Sequence, residues 1–171
     1  DINSSGECGA RRTDLYGDGN LWWVFNDKGN VHTSSGGNSI GMEIRAQAFS
    51  FATNDEVNNM TFYNYELINR SSFTLTDTYF GVFADTDIGG YEDDFVGCDV
   101  VRGLGFCYNG DDTDNAVGGA AAYPGTPPAI GIDFFEGPYQ DADQIDNANG
   151  IGEGEALNGI GYGDGVTDNE R

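Results

Sequence analysis

Ile40-Gly41-Met42-Glu43-Ile44-Arg45-Ala46-Gln47-Ala48-Phe49-Ser50-Phe51 is the stretch that decides the fold. Met42, Ile44, Ala46 and Ala48 alternate with Glu43, Arg45 and Gln47. A period of two puts one set of side chains on a dry face and the other on a wet one, which is a half-buried β-strand. Upstream, Leu21-Trp22-Trp23-Val24-Phe25 is a short apolar run ending at Asn26-Asp27-Lys28-Gly29-Asn30, so a strand enters a tight turn there. Neighbouring positions on a strand point to opposite faces, so Trp22 and Trp23 divide between the two and at least one is expected in the core. Downstream, the aromatic segment Met60 to Asn69 pairs across the Asn54 to Asn59 connection. A fourth strand is expected at Thr78-Tyr79-Phe80-Gly81-Val82-Phe83-Ala84 and a later one over Ala129 to Phe135.

Composition supports the same class. The 171 residues include 27 Gly and 29 acids, twenty of them Asp, against 7 Lys+Arg, for a net charge of −22. Gly and Asp favour turns and caps, whereas Glu and Lys dress exposed helices, and Lys28 is the single lysine. The fold class is therefore all-β. Strands spaced by turn signals suggest a two-sheet, jelly-roll-like β-sandwich with long Gly/Asp-rich calcium-binding loops, spanning residues 1–171 as one domain. Hydrophobic residues at 38% and aromatics at 13% are too many for a solvating acidic tail. A charge of this sign repels phosphate backbones and anionic lipid, which argues against nucleic acid as a partner. No apolar run reaches about 18 residues, so membrane insertion is not expected.

Phe95 to Tyr108 reads as a hairpin turning at Arg102-Gly103. In that register Cys98 stands opposite Cys107 as a non-hydrogen-bonded pair, close enough for a disulfide; the alternative is two buried thiols side by side. Cys8 is left without a partner.

Between Asp85 and Asp114 stand nine acids opposed only by Arg102. Against the helix-loop-helix calcium template, Asp85 and Asp87 fit positions one and three, Gly90 six, Tyr91 seven and Asp93 nine. Position five is Gly89 and position twelve is Val96, so the match fails as a motif. The physical point survives it. Two carboxylates about 4 Å apart repel by roughly 4 kcal/mol at an effective dielectric near 20, so drawing acids together needs a cation or a proton. Asp85, Asp87, Asp93 and Asp94 are the expected metal ligands and calcium the expected ion, because the donors are hard oxygens. Turn-capping and exposure to water is the competing reading. Asp111-Asp112-Thr113-Asp114 and Asp164-Gly165-Val166-Thr167-Asp168-Asn169-Glu170 are weaker candidates of the same kind.

Catalytic patterns are sparse. His32 is the one histidine, in a polar stretch, and the chain has no H-E-x-x-H, no G-x-S-x-G elbow and no C-x-x-C. The chain is accordingly expected not to be an enzyme, although any two of its acids could in principle form a carboxylate pair.

Several spaced motifs resemble a recurrent region of very large secreted proteins of Bacteroidota. They are Asn59-Met60-Thr61-Phe62-Tyr63-Asn64-Tyr65, Ala84-Asp85-Thr86-Asp87-Ile88-Gly89, Asp93-Asp94-Phe95-Val96-Gly97-Cys98-Asp99, Tyr108-Asn109-Gly110-Asp111, Pro127-Pro128-Ala129-Ile130-Gly131, and Gly163-Asp164-Gly165 with Asp168-Asn169-Glu170-Arg171. The resemblance runs from about Trp22 to Arg171. It implies export by type IX secretion, a place at or beyond the cell surface, and a calcium-rich, oxidising setting. It also implies that the region continues past Arg171, so the domain is expected to be cut short or completed by a further chain. The expected function is a non-catalytic, calcium-stabilised structural or adhesion module, its partners the rest of its own polypeptide or like subunits. The rival is a carbohydrate-binding module or accessory domain of a glycoside hydrolase, with Trp22 or Trp23 stacking on a glycan.

Overall fold

The structure is a computed structural model describing residues 14–76, 78–138, 144–148, 159–167 and 170–171. Cys8 lies outside the described residues. The protein is all-β: two three-stranded antiparallel sheets, with three single-turn 3-10 helices as its helical content among the described residues. The chain divides into two compact units, Asp1–Thr78 and Tyr79–Arg171, each carrying one sheet.

In the first unit, β1 (Gly19–Asn26), β2 (Met42–Ser50) and β3 (Phe62–Asn69) form a meander with β2 in the centre. The alternating stretch is the central strand, and its two-residue period gives the sheet one apolar and one polar face. On the apolar face, Ala46 stands between Trp23 and Tyr65, and Ala48 between Leu21 and Tyr63. Large side chains on the outer strands lean over small ones on the middle strand, and Ala46 is only 1% exposed. That cover falls on the alanines and not on the indoles. Trp22 and Trp23 are 48% and 37% exposed, so neither is the core residue that the Trp-Trp pair predicts. At one end of the sheet Phe49 packs on Tyr16, Phe51 and Phe62 with ring centroids 5.3, 5.9 and 5.4 Å away. Each such pair contributes about 1 kcal/mol beyond its area.

The opposite face is polar and held by charge. Glu43 accepts from Arg70 Nε at 3.1 Å and Nη2 at 3.0 Å, and Arg45 bridges Glu43 and Glu66 at 3.1 Å each. The Arg70 hydrogen bonds hold the Glu43 carboxyl below its ordinary range and raise Arg70 in turn. The connection between β1 and β2 is closed by Asp27, whose carboxylate accepts the amides of Ile40 (2.5 Å), Gly41 (3.0 Å) and Met42 (3.0 Å). Burial pushes Asp27 upward, but these three amides outweigh it and the carboxyl ends below its usual value.

In the second unit, β4 (Asp94–Asp99), β5 (Leu104–Asn109) and β6 (Ala129–Asp133) form a second meander with β5 central. No strand forms over 78–84, where the pattern predicts one: Tyr79 and Phe83 are almost fully exposed and the backbone finds no ladder partner. An apolar run becomes a strand only where a neighbouring strand takes its hydrogen bonds.

The β4–β5 hairpin forms, but with its register two residues away from the expected one. Its loop is Val100-Val101-Arg102-Gly103, with Asp99 paired to Leu104. A two-residue turn at Arg102-Gly103 would demand a positive φ at Arg102, which arginine disfavours. The chain instead winds one 3-10 turn, capped by Asp99 Oδ1 accepting Arg102 N at 3.2 Å, and closes on Gly103 at φ 65°. Asp99 also pairs with the Arg102 guanidinium, which holds its carboxyl below the ordinary value. Cys98 therefore faces Gly105, and Cys107 faces Val96. The expected Cys98–Cys107 disulfide is not formed and both are free thiols. Diagonal positions on an antiparallel pair sit about 7–8 Å apart, beyond the reach of a disulfide.

Candidate functional site

The acidic loops gather on the face of β4–β5 that carries Asp94, Cys107 and Asn109. Residues on one strand share a face at every second position, so Cys107 and Asn109 point the same way, and Asp94 stands directly across from Asn109. The segment before β4 lies over this face. Ile88 N donates to Asp94 Oδ2 at 2.7 Å, Ile88 is buried, and the Cys107 thiol donates to Thr86 O at 3.7 Å.

A second loop, running on from β5, meets the first through Asp114, a carboxylate only 5% exposed. Its Oδ1 accepts Gly90 N at 2.9 Å and its Oδ2 accepts Tyr123 N at 2.6 Å. Gly89, at φ 68°, runs so close to this carboxylate that a Cβ there would lie 1.7 Å from Asp114 Oδ2. Asp93 joins the same two loops: its Oδ2 accepts Asn115 N at 3.1 Å and Asn115 Nδ2 at 2.6 Å, and its carbonyl accepts Gly110 N at 2.8 Å. Asn109 Nδ2 donates to the carbonyls of Thr113 at 3.1 Å and Asp111 at 3.4 Å. Asp93, Asp114 and the side-chain amide of Asn115 thus knit residues 88–94 to residues 109–123, while Asn109 braces the turn that follows β5.

The four expected ligands separate into two pairs. Asp93 and Asp94 turn inward, each with one oxygen on a backbone amide; Asp85 and Asp87 are exposed to solvent. Among the described residues no three His, Cys, Asp or Glu side chains come together as a metal-binding group. The fit of the donors to a hard cation rests on other atoms. Asp93 Oδ1, Asp94 Oδ1 and Asn109 Oδ1 each expose less than 1 Å² and have no hydrogen-bond partner. Most buried polar atoms are paired, and an unpaired anionic oxygen needs a physical account.

No protein-family model, no curated protein and no solved structure matches the chain.

Of the weaker candidates, Asp111 caps its own turn, accepting Thr113 N at 2.7 Å, and Asp112 is exposed. In the C-terminal stretch, Asp164 accepts Val166 N at 2.8 Å, whereas Asp168 and Asn169 lie outside the described residues. Glu170 is buried and accepts Asn147 N at 2.8 Å. Asp146, which the sequence does not mark out, accepts Gly163 N at 2.6 Å and Gly165 N at 2.7 Å and so ties that loop. His32 is half-buried in the β1–β2 connection, where its carbonyl accepts Gly36 N.

Sequence reading misses Asn109. It sits inside the stretch Tyr108-Asn109-Gly110-Asp111, but the signal that singles it out is strand parity: a polar side chain two residues after a buried Cys107 on an inward face. Trp22, the other candidate, lies on the polar face of β1 with Asn20 and Val24, directly across from Gln47. Gln47 is itself buried and donates to Asp14 O at 2.7 Å.

Proposed function

We propose that this chain is a non-catalytic, calcium-stabilised β-sandwich module of a large secreted or surface-exposed bacterial protein, serving adhesion or matrix architecture. The observation that carries the reading is the inward turn of three acids: Asp93 and Asp114 cross-link residues 88–94 to residues 109–123, and Asp94 ties Ile88 to the start of β4. Acids free to choose would face water and spread apart. Three held on one pair of loops suit a structure whose charge a divalent ion neutralises, and the rest of the strongly acidic surface suits a protein working in a saline, calcium-rich exterior. Calcium bound to the folded state alone stabilises it by an amount that grows with the logarithm of ion concentration, about 2.7 kcal/mol at a hundredfold excess over Kd. Thermal melts of the chain in excess chelator and then in rising calcium test this. A Tm that climbs with calcium supports the reading, and a curve indifferent to both additions overturns it.

A second reading, glycan binding, is favoured by the exposure of Trp22 on a polar sheet face that also carries Asn20 and Arg45 and, one strand further on, Asn64. An indole among hydrogen-bonding groups is the usual footing for a sugar ring. Affinity electrophoresis against soluble polysaccharides tests it: retardation lost on Trp22→Ala and kept on Trp23→Ala supports the second reading, and migration of the wild type unaffected by any polysaccharide removes it.

A further inference from the structure

We propose that the divalent ion is bound through Oδ1 of Asp93, Asp94 and Asn109, at the open end of the β4–β5 ladder, and not by the Asp85–Asp87 pair. The proposal rests on the calcium reading above and gives it a place.

The three oxygens share one property: each is buried to less than 1 Å² and none has a donor. Every other polar atom of these side chains is engaged. Asp94 Oδ2 takes Ile88 N, Asp93 Oδ2 takes the backbone and side-chain nitrogens of Asn115, and Asn109 Nδ2 donates to two carbonyls. Those two donations also fix which way the amide faces. A flipped Asn109 would set its oxygen against the carbonyls of Thr113 and Asp111, so the oxygen has to point the other way. Asn109 is 9% exposed, and it is directly opposed to Asp94, a placement that keeps the Cβ atoms of a strand pair about 4.5–5.5 Å apart. Gly110 N on Asp93 O anchors the third residue to the same corner.

Two carboxylates and a neutral amide oxygen carry a formal charge of −2 and offer only hard donors. Such a set suits calcium, which completes its six to eight ligands with backbone carbonyls and water. None of the three donors is the nitrogen or sulfur that softer metals prefer, and the nearby Cys107 thiol is turned to Thr86 O. The same arrangement explains why Asp85 and Asp87 stay in solvent. The segment between Asp87 and Asp94 is tied down by Ile88 N on Asp94 and Gly90 N on Asp114, and the ion site is complete without the D-x-D pair.

The test is isothermal titration of the chelator-stripped full chain with calcium chloride, on wild type, Asp93→Asn, Asp94→Asn and the double variant Asp85→Asn/Asp87→Asn. Asparagine at 93 or 94 keeps an oxygen for the backbone amide and replaces Oδ1 by a nitrogen. Calcium affinity is expected to fall at least tenfold in each of these single variants and to stay within twofold of wild type in the double variant. The metal-free Tm of Asp93→Asn and Asp94→Asn should not drop, which separates loss of a ligand from loss of a structural contact. Crystals of the calcium form should place the ion about 2.3–2.6 Å from all three Oδ1 atoms. Affinity lost in the double variant and kept in Asp93→Asn and Asp94→Asn overturns this location and leaves the calcium reading standing. Wild type that takes up no calcium at millimolar concentration overturns both.

Discussion

Substituting Gly90 by alanine tests the junction on which the functional reading depends. Gly90 has φ −91°, so alanine adopts its backbone without strain and the effect is steric alone. A Cβ at this position would stand 1.6 Å from Asn115 O and 2.8 Å from its carbonyl carbon. Backbone cannot rotate aside as a side-chain tip can, so the two loops must part by about 1.4 Å to restore even a 3.0 Å contact. That displacement breaks the 2.9 Å hydrogen bond from Gly90 N to the buried Asp114 carboxylate. Loss of a hydrogen bond to a charged, buried acceptor costs about 1.5–3 kcal/mol, and with the residual overpacking the total is about 2–4 kcal/mol. In a unit the size of Tyr79–Arg171 this lowers Tm by roughly 10–25 °C. Urea denaturation followed by tryptophan-independent circular dichroism measures it, with Gly81→Ala as the control. Nothing lies within 4 Å of a Cβ at Gly81, so that variant should be neutral or gain about 0.5 kcal/mol from a stiffer unfolded chain. Gly90→Ala within about 0.5 kcal/mol of wild type would refute the contact between the two loops.

Acid should destabilise the protein in a defined direction. Asp27, Glu43 and Asp99 all ionise more readily folded than unfolded, from ordinary values of 3.8, 4.5 and 3.8. The stability they carry is complete above those values and drains as pH falls through the lower folded ones. Urea midpoints should therefore be flat with respect to these groups from neutrality to about pH 5 and decline below, less steeply in Glu43→Gln. A midpoint rising as pH drops from 5 to 3 would contradict the assignment. Thiol chemistry follows from the hairpin register: in the native chain an alkylating agent should label exposed Cys98 quickly and Cys107, 2% exposed, only after unfolding. A Cys98–Cys107 cross-linked peptide in a non-reducing digest would show the register to be wrong.

How much of this is legible in the residues differs from element to element. The alternation from Met42 to Ala48 suffices to identify β2, and the apolar runs on either side locate β1 and β3, because a two-residue period is a local property of the chain. The run at 78–84 looks equally strand-like and is not a strand, since pairing is decided by what lies beside it. The β4–β5 hairpin is readable as a hairpin, but its register turns on the unwillingness of Arg102 to adopt a positive φ and on the Asp99 cap, and those two residues move both cysteines out of line.

The acids show the division most plainly. By itself the sequence determines that a folded, all-β, heavily negative chain carries Asp-rich loops around Asp85–Asp94 and Asp111–Asp114, because composition and periodicity are carried by neighbours along the chain. Only the tertiary structure decides which of those carboxylates turn inward. Asp114 meets Gly90 across 24 positions and Asp93 meets Asn115 across 22, while Asp85 and Asp87 meet water. A carboxylate goes where amide donors are waiting for it, and the positions of those donors are set by the pairing of strands far away in the chain.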